Sequence, residues 1–267
     1  MLLTLPDGCQ ASVKPGAVAI VQVRLGSARL PGKALEPIYD KPLLEHIVER
    51  IRACQSIKHI VVATTTNTQD SAIVELGEKL GLGIFRGSEE NVLERFHGAA
   101  RAFKAEVIVR VTADDPFKDP EVIDYAVTRF LAEGFDYCSN TIYPSYPDGL
   151  DVEVFSFRAL DQAYREARLP SEKEHVTPYI WNHPELFKLL NFTHSPDLSQ
   201  HRWTLDYEND LRFAREVYQR LYPQKRVFLM QDILDLLKKE PELSSINAGV
   251  RRNEAYWKSI IEEKETP

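Results

Sequence analysis

The stretch VAIVQVRLGSARLPGK, Val18–Lys33, passes from a continuous apolar run, typical of a buried strand, into a loop rich in glycine and positive charge. The loop carries the cations Arg24, Arg29 and Lys33, and no acidic residue lies among them. Cationic side chains combined with backbone N–H groups suit a ligand with several negative charges, and a triphosphate fits this description. The alternative is a solvated turn that is basic by chance. We therefore expect a phosphate-binding loop directly after a buried strand.

Two common phosphate-binding motifs do not match this loop. A Walker A loop has the pattern GxxxxGK[ST], whereas Gly26 and Gly32 enclose five residues and Ala34 follows Lys33. The GxGxxG pattern of dinucleotide-binding folds follows a strand, whereas the GLG at 81–83 follows a segment with helical periodicity. The remaining interpretation is a mononucleotide held by side-chain cations and loop N–H groups.

Length and composition are those of one globular domain, or of one domain with an elaboration: 267 residues, of which 43% are hydrophobic and 27% charged. The net charge of −7 argues against general nucleic-acid or membrane-surface binding, so the basic loop is a local exception. The cysteines are widely spaced, which indicates neither a disulfide framework nor a zinc site. Residues 1–16 lack the apolar core of a signal peptide, and no apolar run approaches membrane-spanning length, so we expect a cytoplasmic protein.

Strand-like runs alternate with amphipathic helices through the first half of the chain. The expected strands are 17–23, 59–64, 83–85 and 106–111, and the expected helices are 42–54, 71–80, 91–103 and 120–132. This alternation predicts an α/β fold, a three-layer sandwich whose central sheet is mostly parallel and covered by helices on both faces. Ligands of such sheets bind beyond the carboxyl ends of the strands, where the basic loop would emerge.

The pattern changes near residue 135. Strand-like segments at 136–139, 152–155 and 187–192 mix with helical segments near 158–168 and 174–181, and further helices are expected at 208–221, 232–238 and 253–262. We expect residues 1–16 to be an N-terminal extension, 17–222 a single α/β domain and 223–267 a C-terminal helical tail. Within the domain, about 135–200 would form a small β-containing insertion, with antiparallel strands, that covers one side of the cleft.

Carboxylates follow two further apolar segments. Asp114 and Asp115 come just after a strand-like run, and Pro116 prevents a helix from continuing there. Asp206 follows Trp203–Leu205, which we expect to be a short strand that leads into a helix. Both positions have ordinary alternatives, a turn before proline and a helix cap. Two strand-end carboxylates that face a basic phosphate loop are nevertheless the parts needed for metal-assisted nucleotidyl transfer, with Mg²⁺ as the cation.

Several motifs occur in a fixed order along residues 17 to about 222. They are QVRLGSARLPGK at 22–33, FRGSEENVLERF at 85–96, DDP at 114–116, GLDVEVF at 149–155, EHVTPY at 174–179 and WTLD at 203–206. Together they resemble the cytidylyltransferases that activate acylneuraminate and 3-deoxy-manno-octulosonate, and in particular the branch named after the spore coat polysaccharide biosynthesis protein F. The resemblance implies a fold of the nucleotide-diphospho-sugar transferase type. Ala28 stands where that family usually has Thr, and Lys173 stands where Arg usually precedes Glu-His.

The resemblance implies a role for each matched motif. It assigns the triphosphate to Arg24, Ser27, Arg29 and Lys33 with the N–H groups of Leu25 and Gly26; base and ribose to Arg86, Gly87 and Ser88; Mg²⁺ to Asp114 and Asp206; and the acceptor to Glu153, Glu174 and His175. Arg24, Lys33, Asp114 and Asp206 are the residues expected to be catalytic. For His175, a role in helix packing is an equal alternative. The insertion would cover the acceptor side, and the resemblance favours a homodimer.

The reaction implied by the resemblance is attack of a sugar oxygen on the α-phosphate of CTP, with release of pyrophosphate. CMP would pass to a sugar or sugar-acid acceptor in surface-polysaccharide biosynthesis. Alternatives stay open: an acceptor that is a sugar 1-phosphate, another nucleoside triphosphate, a glycosyltransferase that uses a nucleotide-sugar, or a non-catalytic nucleotide-binding protein. The loop cations suit a triphosphate better than a diphospho-sugar, and the presence of Lys33 and both carboxylates disfavours a non-catalytic protein.

Overall fold

A computed structural model describes residues 16–265. Its strands are β1 (Ala17–Gln22), β2 (Pro37–Ile38), β3 (Lys41–Pro42), β4 (Ile57–Thr65), β5 (Gly83–Gly87), β6 (Val107–Thr112), β7 (Tyr137–Ser139), β8 (Glu153–Ser156) and β9 (Leu189–Asn191). Seven of them form one sheet in the order β5-β4-β1-β6-β8-β7-β9, and β2 and β3 pair as a small antiparallel hairpin.

The first half of the large sheet is parallel. Strand β1 lies between β4 and β6 and pairs in parallel with both, and β5 pairs in parallel with β4. The carboxyl ends of these strands therefore meet at one edge of the sheet, which is where ligands bind in sheets of this kind. The predicted mostly parallel sheet is confirmed.

Helices cover both faces of the sheet. The helices are α1 (Leu43–Arg52), α2 (Ser71–Lys79), α3 (Val92–Ala102), α4 (Pro120–Glu133), α5 (Phe157–Glu166), α6 (Pro170–His175), α7 (Pro178–Trp181), α8 (Glu208–Leu221), α9 (Met230–Lys239) and α10 (Glu254–Glu265). In β1, Ala19 and Val21 face a core shared with α1, α4, α8 and α9, whereas Val18 and Ile20 face a second core shared with α3 and α5. Each fully buried aliphatic side chain of this kind stabilises the fold by about 1.5–3 kcal/mol. The predicted three layers are confirmed.

The strands of the predicted insertion join the central sheet. Strand β8 runs antiparallel to both β6 and β7, which confirms the expected antiparallel strands, and β9 then adds in parallel to β7. The helix predicted at 174–181 is wrong in its continuity. It is divided between α6 and α7 at Val176, whose φ of 73° is left-handed, and Pro178 starts the second piece. Proline cannot continue the preceding helix because it lacks an N–H and disfavours a helical residue before it.

The structure describes almost none of the predicted N-terminal extension but nearly all of the C-terminal helical tail. The predicted N-terminal extension at 1–16 lies outside the described residues except for Gly16. After residue 222, α9 packs its apolar residues Ile233 and Leu236 on the core, and α10 packs against α6. Among the described helices, none combines the length and hydropathy needed to cross a bilayer.

Candidate active site

The basic loop leaves β1 at the carboxyl edge of the sheet and folds back on itself. The N–H of Leu25 donates to Oδ1 of Asp70 (2.8 Å), and Asp70 is fully buried. The N–H of Gly32 donates to the carbonyl of Leu25 (3.0 Å) and closes the loop, with Gly32 at φ 76° in the left-handed region that glycine adopts without strain. Lys33 then starts a short 3-10 turn and extends from a fixed backbone.

The ammonium group of Lys33 lies between the two predicted metal carboxylates. Its Nζ is 3.0 Å from Oδ2 of Asp114 and 2.9 Å from Oδ1 of Asp206, and it also donates to the carbonyl of Leu205 (2.8 Å). Burial by itself lowers the pKa of Lys33, but attraction to Asp114 and Asp206 outweighs it and raises the pKa above the usual value. Lys33 therefore holds a full positive charge where the two carboxylates converge.

Asp206 has two further cationic neighbours. Arg29 Nη2 lies 2.7 Å from Oδ1 of Asp206, and Arg202 Nη2 lies 3.4 Å from Oδ2. The backbone on either side of the carboxylate is fixed by Asp210, whose Oδ2 accepts from the N–H groups of Asp206 and Tyr207 (2.9 Å each). The structure thus brings Arg29, Lys33 and both predicted metal carboxylates together.

The prediction of a strand at Trp203–Leu205 is wrong. Trp203 N–H donates to the carbonyl of Asp148 and Leu205 N–H to that of Asp114 (2.7 Å each), so the segment bonds to two different loops and forms no ladder. Gly149 permits this approach, because a Cβ there would lie 2.6 Å from the backbone carbon of Trp203. The apolar alternation that suggests a strand arises because Trp203 and Leu205 are buried in the core.

Asp114 and Asp115 are neighbours in sequence but lie in different environments. The Asp114 side chain is 28% exposed at the cleft; burial raises its pKa, but Lys33 more than offsets this, and the net pKa is low. The Asp115 side chain is 7% exposed and pairs with Lys118 Nζ (2.8 Å), and the Thr112 hydroxyl donates to it (2.6 Å). Burial, with Asp114 and Asp151 nearby, raises the pKa of Asp115 to about 6 in spite of Lys118.

The residues predicted to seat the base and ribose lie along the same sheet edge. Arg86 lies one residue before the end of β5, and its guanidinium donates to the carbonyls of Thr65 (2.9 Å) and Asn67 (2.8 Å). Ser88 Oγ accepts from the N–H of Asn91 (3.0 Å), just before α3. These contacts fix the 86–88 segment against the loop that follows β4.

Arg24 and Ser27, two further residues of the predicted phosphate loop, make longer side-chain contacts than Arg29 and Lys33 do. Arg24 is 43% exposed and pairs at 3.3 Å with Glu89, so its guanidinium remains accessible to a ligand. The hydroxyl of Ser27 accepts from the N–H of Leu30 at 3.4 Å. The N–H of Ser27 donates to the Leu25 carbonyl (2.9 Å), and the N–H of Leu25 is engaged by Asp70. The role predicted for Leu25 N–H in phosphate binding would therefore require this bond to open.

Glu153, predicted to bind the acceptor, belongs to a buried network. Its Oε1 accepts from the hydroxyls of Tyr137 (2.7 Å) and Thr177 (2.5 Å), and its Oε2 accepts from Arg110. Arg110 in turn donates to the side chain of Gln22 (3.1 Å). This row joins the end of β1 to the turn between α6 and α7. Acceptor binding by Glu153 stays a prediction, because the contacts described for its carboxylate are all with other side chains of the protein.

His175 and Glu174 end α6 and meet α10. Nε2 of His175 lies 3.0 Å from Oγ of Ser259, and that hydroxyl lies 2.9 Å from Oε2 of Glu174. Burial lowers the pKa of His175 to about 4, and the Glu174 carboxylate offsets only part of the effect. His175 is therefore a neutral imidazole at neutral pH, one that can exchange hydrogen bonds with a ligand without carrying charge.

We expect the free energy of unfolding to fall as the pH is lowered from 6.5 to about 4, because the unfolded chain binds a proton at His175 that the folded chain does not. The contribution reaches about 3 kcal/mol at the acid end. In His175→Gln, urea unfolding at a series of pH values should show a correspondingly flatter acid limb. His59→Gln, at an exposed position, is the control, and equal slopes in both variants would contradict the assignment.

Sequence reasoning missed several residues that organise the site. Asp210 and Arg202 fix Asp206, Asp70 fixes the basic loop, and Asn247 and Ser259 contact the site from the C-terminal segment. Asp210 had a local signal, since an acid in the first turn of a helix commonly caps free N–H groups. The others join parts of the chain that are far apart in sequence, and no local pattern marks them.

Comparison with known proteins shows the family of the chain. The family model described as Cytidylyltransferase matches residues 18–240. Together with this match, the α/β sheet with cations and two carboxylates at its carboxyl edge belongs to a nucleotidyltransferase. The chain belongs to the cytidylyltransferase family.

Individual relatives cover most of the chain. It is 39% identical over 239 residues to an uncharacterized protein of Methanocaldococcus jannaschii. This match covers 88% of this chain and 96% of the relative. It is 34% identical over 234 residues to the spore coat polysaccharide biosynthesis protein SpsF of Bacillus subtilis, covering 85% and 95% respectively. A shorter match of 115 residues, 34% identical and covering 43% of this chain and 44% of the relative, joins it to the 3-deoxy-manno-octulosonate cytidylyltransferase of Trichlorobacter lovleyi.

A solved structure extends the similarity to three dimensions. A cytidylyltransferase from Leptospira borgpetersenii superimposes with a TM-score of 0.83 at 29% sequence identity, covering 89% of this chain and all of that one. The fold predicted from the sequence is therefore that of its family.

Proposed function

We propose that the protein transfers CMP from CTP to a sugar or sugar-acid acceptor, with Mg²⁺, and releases pyrophosphate in the biosynthesis of a surface polysaccharide. The observation that carries this proposal is the convergence of Asp114 and Asp206 on the ammonium of Lys33, beside Arg29, at the carboxyl edge of the sheet. Family membership supports the choice of nucleotide, and the relatives named for spore coat polysaccharide biosynthesis and as a 3-deoxy-manno-octulosonate cytidylyltransferase support the choice of acceptor. A homodimer remains part of the prediction.

The carboxylates have the chemistry that Mg²⁺ requires. Asp114 and Asp206 approach one cation from two sides, with Lys33 Nζ at that position. Within residues 16–265 no group of three or more His, Cys, Asp or Glu side chains is arranged around a metal position, so phosphate oxygens and water would supply the remaining ligands. Mg²⁺ prefers such a site, with one or two carboxylates and substrate phosphates. When bound, it would offset charge on the phosphate oxygens.

The cationic side chains of the protein would stabilise the negative charge of the triphosphate that the metal does not offset. Lys33 and Arg29 would exchange their carboxylate contacts for the triphosphate, and the exposed guanidinium of Arg24 is accessible to it. Their charges offset the negative charge that builds up on the α-phosphate and on the departing pyrophosphate. The bond formed joins the acceptor oxygen to the α-phosphorus. The bond broken joins the α-phosphorus to the oxygen that bridges the α- and β-phosphates, and this oxygen leaves with pyrophosphate. Holding both substrates in line supplies much of the rest of the acceleration.

We expect pyrophosphate release when the protein is incubated with CTP, Mg²⁺ and a panel of nonulosonates and octulosonates. The cations and carboxylates described above leave the acceptor as the variable part, so a single member of the panel should dominate. Omission of Mg²⁺ is the control for the metal, and titration calorimetry with each of the four nucleoside triphosphates checks the base. Equal affinity for all four, or turnover of a nucleotide-sugar without CTP, would contradict the proposal.

A further inference from the structure

The C-terminal tail, defined here as residues 241–265, lies beyond the segment that the family model matches. It nevertheless runs along the site from one side to the other. It begins with a 3-10 turn, Pro241–Ser245, packed on α8 and α9, and it ends in α10 on α6. Between these points, Arg252 donates to the carboxylate of Asp151 and to the carbonyl of Tyr146 (2.9 Å). The tail therefore connects α8, which Asp206 precedes, to α6, which ends at His175.

At its first contact the tail meets the support of Asp206. The side-chain amide of Asn247, which is buried, donates to Oδ1 of Asp210 (2.9 Å) and to the carbonyl of Arg202 (3.0 Å). The other oxygen of Asp210 accepts from the N–H groups of Asp206 and Tyr207. Because one amide group bonds to both Asp210 and Arg202, it fixes these supports of Asp206 relative to each other.

A second tail residue reaches the same loop. Oε2 of Glu254 accepts from the hydroxyl of Tyr207 (2.5 Å) and lies 3.9 Å from Arg29. The backbone of Asp206 is thus held by Asp210. Of the tail residues, Asn247 contacts Asp210 and Glu254 contacts Tyr207. The bonds to the carboxylates of Asp210 and Glu254 are charge-assisted, a class of hydrogen bond that is about twice as strong as the neutral one.

At its far end the tail meets the predicted acceptor residues. A serine hydroxyl has one proton, and the carboxylate of Glu174 is the stronger acceptor for the proton of Ser259, so Oγ of Ser259 accepts from Nε2–H of His175. The ring of Tyr256 packs edge-on against His175 at 5.3 Å between centroids. Ser259 and Tyr256 together fix the orientation of the imidazole and favour the neutral form protonated on Nε2.

We propose that the C-terminal tail is a part of the functional site, in which Asn247 is a positioning residue for Asp206 and Ser259 is a positioning residue for His175. The proposal rests on the proposed function. It predicts that the two variants affect different halves of the reaction, because one contact serves the nucleotide side and the other the acceptor side. General loss of stability would not separate the two halves in this way.

The test measures binding and turnover in Asn247→Ala, Ser259→Ala and the control Lys258→Ala, whose side chain is 75% exposed on α10. Asn247→Ala should weaken the affinity for CTP with Mg²⁺ in titration calorimetry, and should lower kcat, each by about tenfold, the scale seen when a residue that supports a metal ligand is removed. Ser259→Ala should raise KM for the acceptor by a similar factor and leave the affinity for CTP unchanged. Lys258→Ala should match the wild-type protein.

The comparison with the wild-type protein separates failure of this inference from failure of the proposed function. If the wild-type protein binds CTP and turns it over, and both tail variants match it, the tail is only structural and the inference is wrong. If Asn247→Ala does not fold, Ser259→Ala decides, since an unchanged acceptor KM overturns the proposal. If the wild-type protein binds no nucleotide, the proposed function is wrong and the tail proposal is rejected with it.

Discussion

Replacing Lys33 with alanine should reduce kcat/KM for CTP by about 100-fold or more, the scale associated with loss of one preorganised group that stabilises charge in a transition state. The ammonium of Lys33 is 12% exposed and lies about 3 Å from both Asp114 and Asp206. Its removal takes away the cation that bridges the two carboxylates, with Arg29 and Arg202 left beside Asp206, and it removes a cation from the phosphate path. Steady-state pyrophosphate release at a series of CTP concentrations measures the effect.

Lys41→Ala is the matched control for Lys33→Ala. Lys41 is also a partly buried lysine with two side-chain partners, Glu49 at 3.2 Å and the hydroxyl of Tyr222 at 2.9 Å, but it lies in β3, outside the candidate site. Its loss should change stability slightly and leave the rate unchanged. A Lys33→Ala enzyme that retained wild-type kcat/KM would exclude the phosphate role of this residue, and a similar loss in Lys41→Ala would point to an indirect effect.

The elements that follow local patterns are predictable from the sequence to within a residue or two. Strand β1 is predicted at 17–23 and ends at Gln22, and helix α3 is predicted at 91–103 and spans Val92–Ala102. Strand β1 is buried on both faces along nearly its whole length, as its continuous apolar run predicts, and α3 buries Val92, Phe96 and Ala99 at helical spacing, so local patterning and tertiary packing agree. The same agreement explains why the edge of the sheet that carries the basic loop could be located.

Prediction fails where long-range bonds decide the local conformation. Trp203–Leu205 alternates like a strand, yet its N–H groups bond to the separate loops at Asp148 and Asp114. Similarly, no sequence pattern near Asn247 indicates its contact with Asp210, which is 37 positions away, and none near Ser259 indicates its contact with His175, which is 84 positions away. Contacts of this kind depend on how the tail packs after the sheet has formed, which a window of neighbouring residues does not contain.

The neighbouring carboxylates Asp114 and Asp115 should respond oppositely to the same change. Asp114→Asn should lower turnover by about 100-fold or more, because it removes one of the two carboxylates that hold Lys33 and would hold the metal, while the partly exposed side chain contributes little to folding. Asp115→Asn should leave turnover unchanged, because its side chain is buried against Lys118 and Thr112, and its effect should be on stability, since it removes the carboxylate that pairs with the Lys118 ammonium.

Two measurements on each variant, pyrophosphate release and urea unfolding, distinguish the roles. The raised pKa of Asp115, about 6, adds a pH signature. Between pH 4 and 6 the folded protein binds a proton at Asp115 that the unfolded chain releases, so this group's contribution to stability falls as the pH rises through that interval. Asp115→Asn should remove that dependence, whereas Asp114→Asn should only weaken it, because burial is the largest cause of the raised pKa of Asp115 and the Asp114 charge is a smaller one. If instead Asp115→Asn abolished turnover at unchanged stability, the second carboxylate of the pair would be the one that faces the substrate, because only a residue in the cleft can change the rate without changing the fold.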